Sequence, residues 1–241
     1  MPSTVLKEFE TIYTLMYPPE EATSDCYAWM TKLPNPMFNA ILHCNPESNL
    51  SDKVDTLIKQ DSTETLSFWS DPKNKHSLAL TEILKEKQFQ SLGTFPLMAW
   101  ECHPLPHPRF DIRPADMPIF EDIVSEVFFL DPVTKAGYNR LMNIPQAEHY
   151  LVYYENKPVG SGTLIHQGTI GGVFNITVLP EYRGKGLGRA MTQFLMQRSH
   201  ELGLQKTILL SSPLAEKLYA SLGFKKVSDI EMYSCYKSKV V

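Results

Sequence analysis

Three glycines at alternate positions, Gly184, Gly186 and Gly188, stand in the stretch Val178-Leu-Pro-Glu-Tyr-Arg-Gly-Lys-Gly-Leu-Gly-Arg-Ala190, interleaved with Arg183, Lys185 and Arg189. Glycine removes side chains from a strand-to-helix turn, so successive backbone N–H groups can approach an anion closely. The positive end of the helix dipole points at the same place, and the three cationic side chains add to it. The chemistry is that of a pyrophosphate cradle. No Gly-Lys-Ser/Thr closes it, as a nucleotide P-loop requires, and the strands before it read as hairpins where a dinucleotide fold has a crossover. A glycine-rich turn chosen only for tight packing is the alternative that the motif alone leaves open.

The elements that must position this turn are legible in the periodicity. FDIRPAD (110–116) reads as a short strand followed by an N-cap at Asp116. In the helix after it, Met117, Phe120, Ile123, Val124, Val127 and Phe128 share a face, and a second helix is predicted over 132–141. HYLVYYENKPVGSGTLIH (149–166) reads as a hairpin turning at 155–158, and GGVFNITVLP (171–180) as a third strand that stops at proline. From Gly186 to Gly203 the period becomes helical, with Leu187, Ala190, Met191, Phe194, Leu195 and Leu202 on one face. KTILL (206–210) is a strand, 213–223 a helix with proline in its first turn and glycine after its end, and FKKVSDIEMYSCYKSK two terminal strands. The resulting order, β-α-α-β-β-β-α-β-α-β-β, is an α/β fold with a mixed sheet covered by helices.

These residues resemble a known family. VLPEYRGKGLGRA is similar to the R-x-x-G-x-G/A acyl-CoA-binding motif of the GNAT superfamily of N-acetyltransferases, and SSPLAEKLYASLGF (211–224) resembles that family's helix carrying a tyrosine before Leu-Gly-Phe. The resemblance covers the C-terminal half. It implies acetyl-CoA as acyl donor, with the backbone of Ile176 and Val178 along the pantetheine arm and the N–H groups from Arg183 through Gly184, Lys185, Gly186, Leu187 and Gly188 to Arg189 on the pyrophosphate. It implies Tyr219 as the acid that protonates the departing thiolate, and Ser212 where many relatives carry asparagine. A core tyrosine is the alternative for Tyr219.

The acceptor must be a primary amine that loses its proton before attacking a thioester. Relatives often place a glutamate in the strand before the cradle, whereas this chain offers Asn175 and Thr177 there. Asn175 can orient a water, and His166 on the neighbouring strand has a suitable intrinsic pKa. The expected activity is acetyl transfer to an amine of a small molecule, amino acid or peptide. The alternative is an acyl-CoA-binding regulatory or interaction module without turnover.

The prolines of His103-Pro-Leu-Pro-His-Pro108 mark a linker, giving an N-terminal α/β domain over 1–104 and the acetyltransferase-like domain over 109–241. Residues 1–92 contain no glycine, so no cradle of the same kind can form there. TLSFWSDP (65–72) followed by LALTEILKEKQF (78–89) nevertheless echoes ILLSSP and AEKLYASLGF, as in a degenerate acetyltransferase half. The composition of the 241-residue chain is that of a globular protein, and a net charge of −4 supplies no field for a polyanion, so nucleic acid is not an expected partner. Four dispersed cysteines, no signal-peptide pattern and no apolar run of about 20 residues predict a cytoplasmic protein without a membrane partner or a metal site. Oligomeric state is not encoded in any motif.

Overall fold

The computed structural model describes residues 4–17, 21–22, 26–44, 49–60 and 65–235. The chain divides into two compact units, one of residues 1–97 with 228–241 and one of residues 98–227. The first unit contains α1 (Thr4–Met16), β1 (Glu21–Ala22), β2 (Cys26–Met30), β3 (Asn39–Cys44), α2 (Leu50–Gln60), β4 (Ser67–Ser70) and α3 (Ser77–Glu86). Strand β5 (Gln90–Glu101) begins in it and ends in the second unit. There follow β6 (Asp111–Pro114), α4 (Met117–Phe128), α5 (Pro132–Met142), β7 (Ala147–Tyr154), β8 (Lys157–Gln167), β9 (Ile170–Val178), α6 (Leu187–Glu201), β10 (Lys206–Leu210), α7 (Glu216–Ser221) and β11 (Lys225–Ser234).

The mixed α/β class is as the periodicity predicts. In the second unit the sheet order is β5-β10-β9-β8-β7-β6, antiparallel from β6 to β9 and parallel between β9 and β10. Asp116 caps α4, accepting from the Ile119 amide at 3.4 Å, and Phe120, Ile123 and Val124 carry its buried face. The β7–β8 hairpin turns on Glu155 and Asn156, both at positive φ (49° and 62°), as a two-residue turn with the twist that antiparallel strands require. Leu187, Met191, Leu195 and Met196 of α6 pack into a core with Val152, Leu164 and Leu209.

Three sequence expectations change. The C-terminal segment forms one strand, β11, in which Ser228, Ile230 and Met232 alternate inward without a break despite the turn-favouring Ser228-Asp229 pair; residues 236–241 lie outside the described part. Helix α7 begins at Glu216, and Pro213 precedes it in a turn closed by the Ala215 amide on the Ser212 carbonyl at 3.0 Å. Residues 228–235 group with the N-terminal unit, where the sequence division has them in the C-terminal domain. The reason is the antiparallel ladder of Glu231–Ser234 against Ser67–Ser70, reinforced by the Ser228 hydroxyl donating to the buried Asp71 carboxylate at 2.6 Å.

The first unit repeats the plan of the second. Strand β3 is antiparallel to β2 with a one-residue slip in register, and parallel to β4, as β9 is to β8 and β10. Helix α2 joins β3 to β4 as α6 joins β9 to β10. Helix α3 ends with the Phe89 amide on the Leu84 carbonyl (2.9 Å) and the Gln88 amide on the Lys85 carbonyl (3.0 Å). Helix α7 ends with the same pair of bonds, Phe224 to Tyr219 (3.1 Å) and Gly223 to Ala220 (3.0 Å), which is a Schellman turn in both cases.

Candidate functional site

Strand β9 carries the site. Its ladder with β10 runs from Ile170 opposite Lys206 to Gly172 opposite Ile208, while β9 itself continues to Val178. A strand directs alternate amides and carbonyls to its two sides. Beyond Gly172 the side toward β10 has no strand opposite it among the described residues. Ile176 and Val178, both half-buried, lie on that stretch.

On the β8 side the register slips between Ser161/Thr177 and Thr163/Phe174, so one extra residue is accommodated in β9. The slip falls at Asn175, whose φ of +53° is left-handed, a region asparagine tolerates better than most side chains do. The Asn175 side chain is engaged: the Tyr138 hydroxyl donates to Oδ1, and Nδ2 donates to Thr163 Oγ1 at 3.2 Å. One lone pair and one N–H of the amide remain for a water.

After β9 comes a short turn over Pro180–Tyr182, in which the Tyr182 amide bonds Leu179 O (3.0 Å) and the Arg183 amide bonds Pro180 O (3.2 Å). The Arg183 amide is therefore committed within the chain, a correction to the expected run of cradle donors. From Gly184 through Lys185, Gly186, Leu187 and Gly188 to Arg189, no backbone amide donates a hydrogen bond within the described residues, and the first bond of α6 is Ala190 N to Gly186 O at 3.0 Å. A helix leaves its first amides unpaired unless a cap takes them, and Gly186 offers no side chain to do so.

The three glycines stand in different circumstances. Gly184 and Gly186 sit at φ +77° and +83°, where a Cβ would meet nothing within 4 Å and only Phe110 Cζ at 4.0 Å respectively; conformation, not space, selects glycine there. Gly188 lies inside α6, and a Cβ on it would make ordinary contacts of 3.8 Å with Val178 Cγ2 and 4.0 Å with Leu218 Cδ2. The polypeptide itself does not need glycine at 188.

The cations around the turn are tethered without being neutralised. Lys185 Nζ lies 5.1 Å from the Tyr154 ring centre, Arg189 Nη2 donates to Ser221 Oγ at 2.5 Å, and Arg183 Nε donates to Val178 O at 3.2 Å. All three residues are exposed. The open amides and the helix dipole thus face solvent beside three positive charges.

Tyr219, on α7, is buried against Phe224, with ring centres 5.9 Å apart, and its hydroxyl has no hydrogen-bond partner among the described residues. Burial pushes its pKa up to about 12, so the phenol holds its proton throughout the neutral range. Ser212 is exposed, and its carbonyl closes the turn before α7. Thr177 is buried and shares a 2.5 Å hydrogen bond with Ser161. His166 pairs in register with Gly171, at the end of β9 remote from the bulge. Four residues of strand separate Gly171 from Asn175, about 13 Å, so His166 is not brought to Asn175.

Sequence reasoning missed three residues that are brought there. Tyr138 from α5, Thr163 from β8 and His149 from β7 form one hydrogen-bonded group with Asn175. Burial pushes the Tyr138 phenol up and the His149 imidazole down from their ordinary values. The one signal in the sequence was a polar residue at an inward position of each element, a pattern without a fixed spacing.

The acetyltransferase (GNAT) domain family matches residues 145–226. Over 80 residues the chain is 35% identical to "Uncharacterized protein YyaT" of Bacillus subtilis (strain 168), which covers 33% of this chain and 54% of that protein. Over 74 residues it is 36% identical to the glucosamine 6-phosphate N-acetyltransferase of Trypanosoma brucei brucei, covering 28% of this chain and 50% of that one. The chain thus spans about half the length of the curated relatives it matches. A GCN5-related N-acetyltransferase from Kribbella flavida has the same fold across 100% of this chain and 98% of its own, at TM-score 0.74 and 14% identity, so the likeness of fold includes the N-terminal half. No helix among the described residues is long and apolar enough to cross a membrane.

Proposed function

We propose, with residues 145–226 forming an acetyltransferase (GNAT) domain, that the chain transfers the acetyl group of acetyl-CoA to a primary amine of a small molecule, amino acid or peptide. The observation that carries this reading is the run of unpaired amides from Gly184 to Arg189 at the start of α6, beside a strand whose outer edge is open. Together they fit a donor with a pyrophosphate and an amide-bearing arm.

In this reading the amides of Gly184–Arg189 and the side chains of Lys185 and Arg189 hold the pyrophosphate, with Arg183 contributing charge alone. The backbone of Ile176 and Val178 takes the pantetheine arm, and exposed Ser212, after β10, is a further contact for the donor. When bound, acetyl-CoA supplies an activated thioester. Tyr219 then has one task, to give its proton to the sulfur as the C–S bond breaks, and its raised pKa keeps that proton available. Asn175 uses its remaining hydrogen-bonding capacity to orient a water that takes the proton of the amine. The acceptor named in the Trypanosoma relative is a phosphorylated amino sugar, which supports a small-molecule amine here.

The second reading, acyl-CoA binding without transfer, is favoured by one observation. Asn175, Thr177, Thr163 and Ser161 around the bulge are all unable to accept a proton at neutral pH. Calorimetric titration with acetyl-CoA, followed by a coupled thiol-release assay over a panel of primary amines, separates the two. Binding with turnover supports transfer, binding without turnover on any amine supports the module, and no binding at millimolar acetyl-CoA removes both.

A further inference from the structure

The hydrogen bonds around Asn175 have a direction that can be worked out. The Met142 carbonyl can only accept, so His149 Nε2, 3.1 Å away, carries a hydrogen. The neutral ring then presents a lone pair at Nδ1, to which the Thr163 hydroxyl donates at 2.9 Å. Thr163 Oγ1 accepts in turn from Asn175 Nδ2, which places Oδ1 toward Tyr138, and the Tyr138 phenol donates to it. A separate bond, Ser161 Oγ to Asn175 O at 2.9 Å, holds the backbone of the same residue. Elements α5, β7 and β8 therefore converge on a single left-handed residue of β9.

The first unit shows that a register slip does not by itself need this arrangement. Strand β3 slips by one residue against β2, yet none of its residues has positive φ. Left-handed backbone is disfavoured for residues with a Cβ, though least for asparagine, and at Asn175, inside a strand, the surroundings bond both its side chain and its carbonyl.

We infer that Tyr138 is a positioning residue, whose phenol locks the Asn175 amide and so maintains the left-handed bulge that sets the direction of the β9 amides beyond it. This rests on the proposed function only for the consequence that those amides engage acetyl-CoA; the structural part stands apart from it. Tyr138 itself is buried and touches the donor in no part of the reading above.

The test uses Tyr138→Phe, which keeps the ring and removes one oxygen, alone and combined with Asn175→Gly. Glycine takes left-handed φ unaided, so in its presence the phenol has nothing to hold. Hydrogen exchange of the ligand-free protein, read on peptides covering 170–178, is expected to quicken by about tenfold in Tyr138→Phe, and adding Tyr138→Phe to Asn175→Gly is expected to change it no further. Acetyl-CoA affinity should follow the same pattern, about tenfold weaker in the first comparison and unaltered in the second. Unchanged exchange in Tyr138→Phe overturns the inference, as does an equal effect in both backgrounds, which marks a phenol serving the core at large. A wild-type chain that binds no acetyl-CoA overturns the proposed function instead, and the exchange comparison still decides the role of Tyr138.

Discussion

The segment from β3 to Phe89 and the segment from β9 to Phe224 are the same architecture built twice, and they differ where chemistry would be. Helix α2 starts behind Asn49, whose Oδ1 accepts from the Ser51 and Asp52 amides at 3.0 and 3.4 Å. Helix α6 starts behind Gly186 and leaves its first amides open. The carbonyl that receives the phenylalanine amide belongs to fully buried Leu84 in the first segment and to Tyr219 in the second. A side-chain cap contributes about 0.5–2 kcal/mol to a helix, and the second segment forgoes it. One apolar skeleton thus supports a closed helix end or an open one, and only the open one can receive an anion.

The largest effect expected from this contrast lies at the Tyr219/Leu84 pair. Tyr219→Phe should lower acetyl transfer by roughly 10²–10⁴-fold with little change in melting temperature, as loss of a positioned acid does. Leu84→Ala should do the reverse, destabilising by about 2–5 kcal/mol through its cavity while turnover per folded molecule is kept. Turnover and thermal melts on both variants check this; an unchanged turnover in Tyr219→Phe removes the phenol from the transfer step and leaves Tyr219 a packing residue like Leu84.

The helix starts come next. Gly186→Val forces a β-branched residue to φ +83° and should weaken acetyl-CoA binding at least tenfold, ~1.4 kcal/mol by calorimetry. Gly188→Val should weaken binding similarly, and since its Cβ meets only ordinary contacts the fold should mostly survive. Asn49→Ala should cost about 1 kcal/mol of stability and leave acetyl-CoA affinity alone. Parent-like binding by both glycine variants would dissolve the distinction between open and closed ends.

A smaller effect is expected at the two Schellman turns. Gly223 has φ +101° and its counterpart Gln88 has φ +64°. Gly223→Ala should destabilise by about 1–2 kcal/mol, whereas Gln88→Gly should be neutral or stabilise by under about 1 kcal/mol, relief of strain being offset by chain entropy. Urea titrations of the two variants measure the difference directly, and equal shifts of one sign would mean that the turns are not equivalent.

The smallest expected effect is a pH dependence from the hydrogen-bonded group that supports the second segment at Asn175. Burial lowers the His149 pKa below its ordinary 6.5, so the unfolded chain binds the proton more readily than the folded one. Its contribution to stability is complete above pH 6.5 and is lost as pH falls toward the lowered folded value. Melting temperature should therefore decline from pH 7 to pH 5, and His149→Gln should flatten that decline. An undiminished slope in the variant would assign the titration elsewhere.

Much of the second unit was readable before any coordinates. Gly184, Gly186, Gly203 and Gly223 mark positive φ in the sequence because the preference belongs to the residue itself. The buried face of α6 and the Asp116 cap follow likewise from spacing alone. The repeated strand, proline and helix ending before Phe89 and Phe224 could be seen as an echo, since both turns use the same local bonds.

The order of elements from β6 to α7, the amphipathic faces and the glycine turn were legible in the sequence, all set by interactions within a few residues of chain. Tertiary structure decided the rest. Register alone puts His166 opposite Gly171 and away from the bulge, and places Glu231–Ser234 against β4. The left-handed backbone of Asn175 is no intrinsic preference strong enough to read from one letter. It is held by Tyr138, Thr163 and Ser161, and through Thr163 by His149, which reach it from α5, β8 and β7. Hydrogen bonds between residues so far apart in the chain leave no period in the sequence, because their geometry exists only after the sheet has paired.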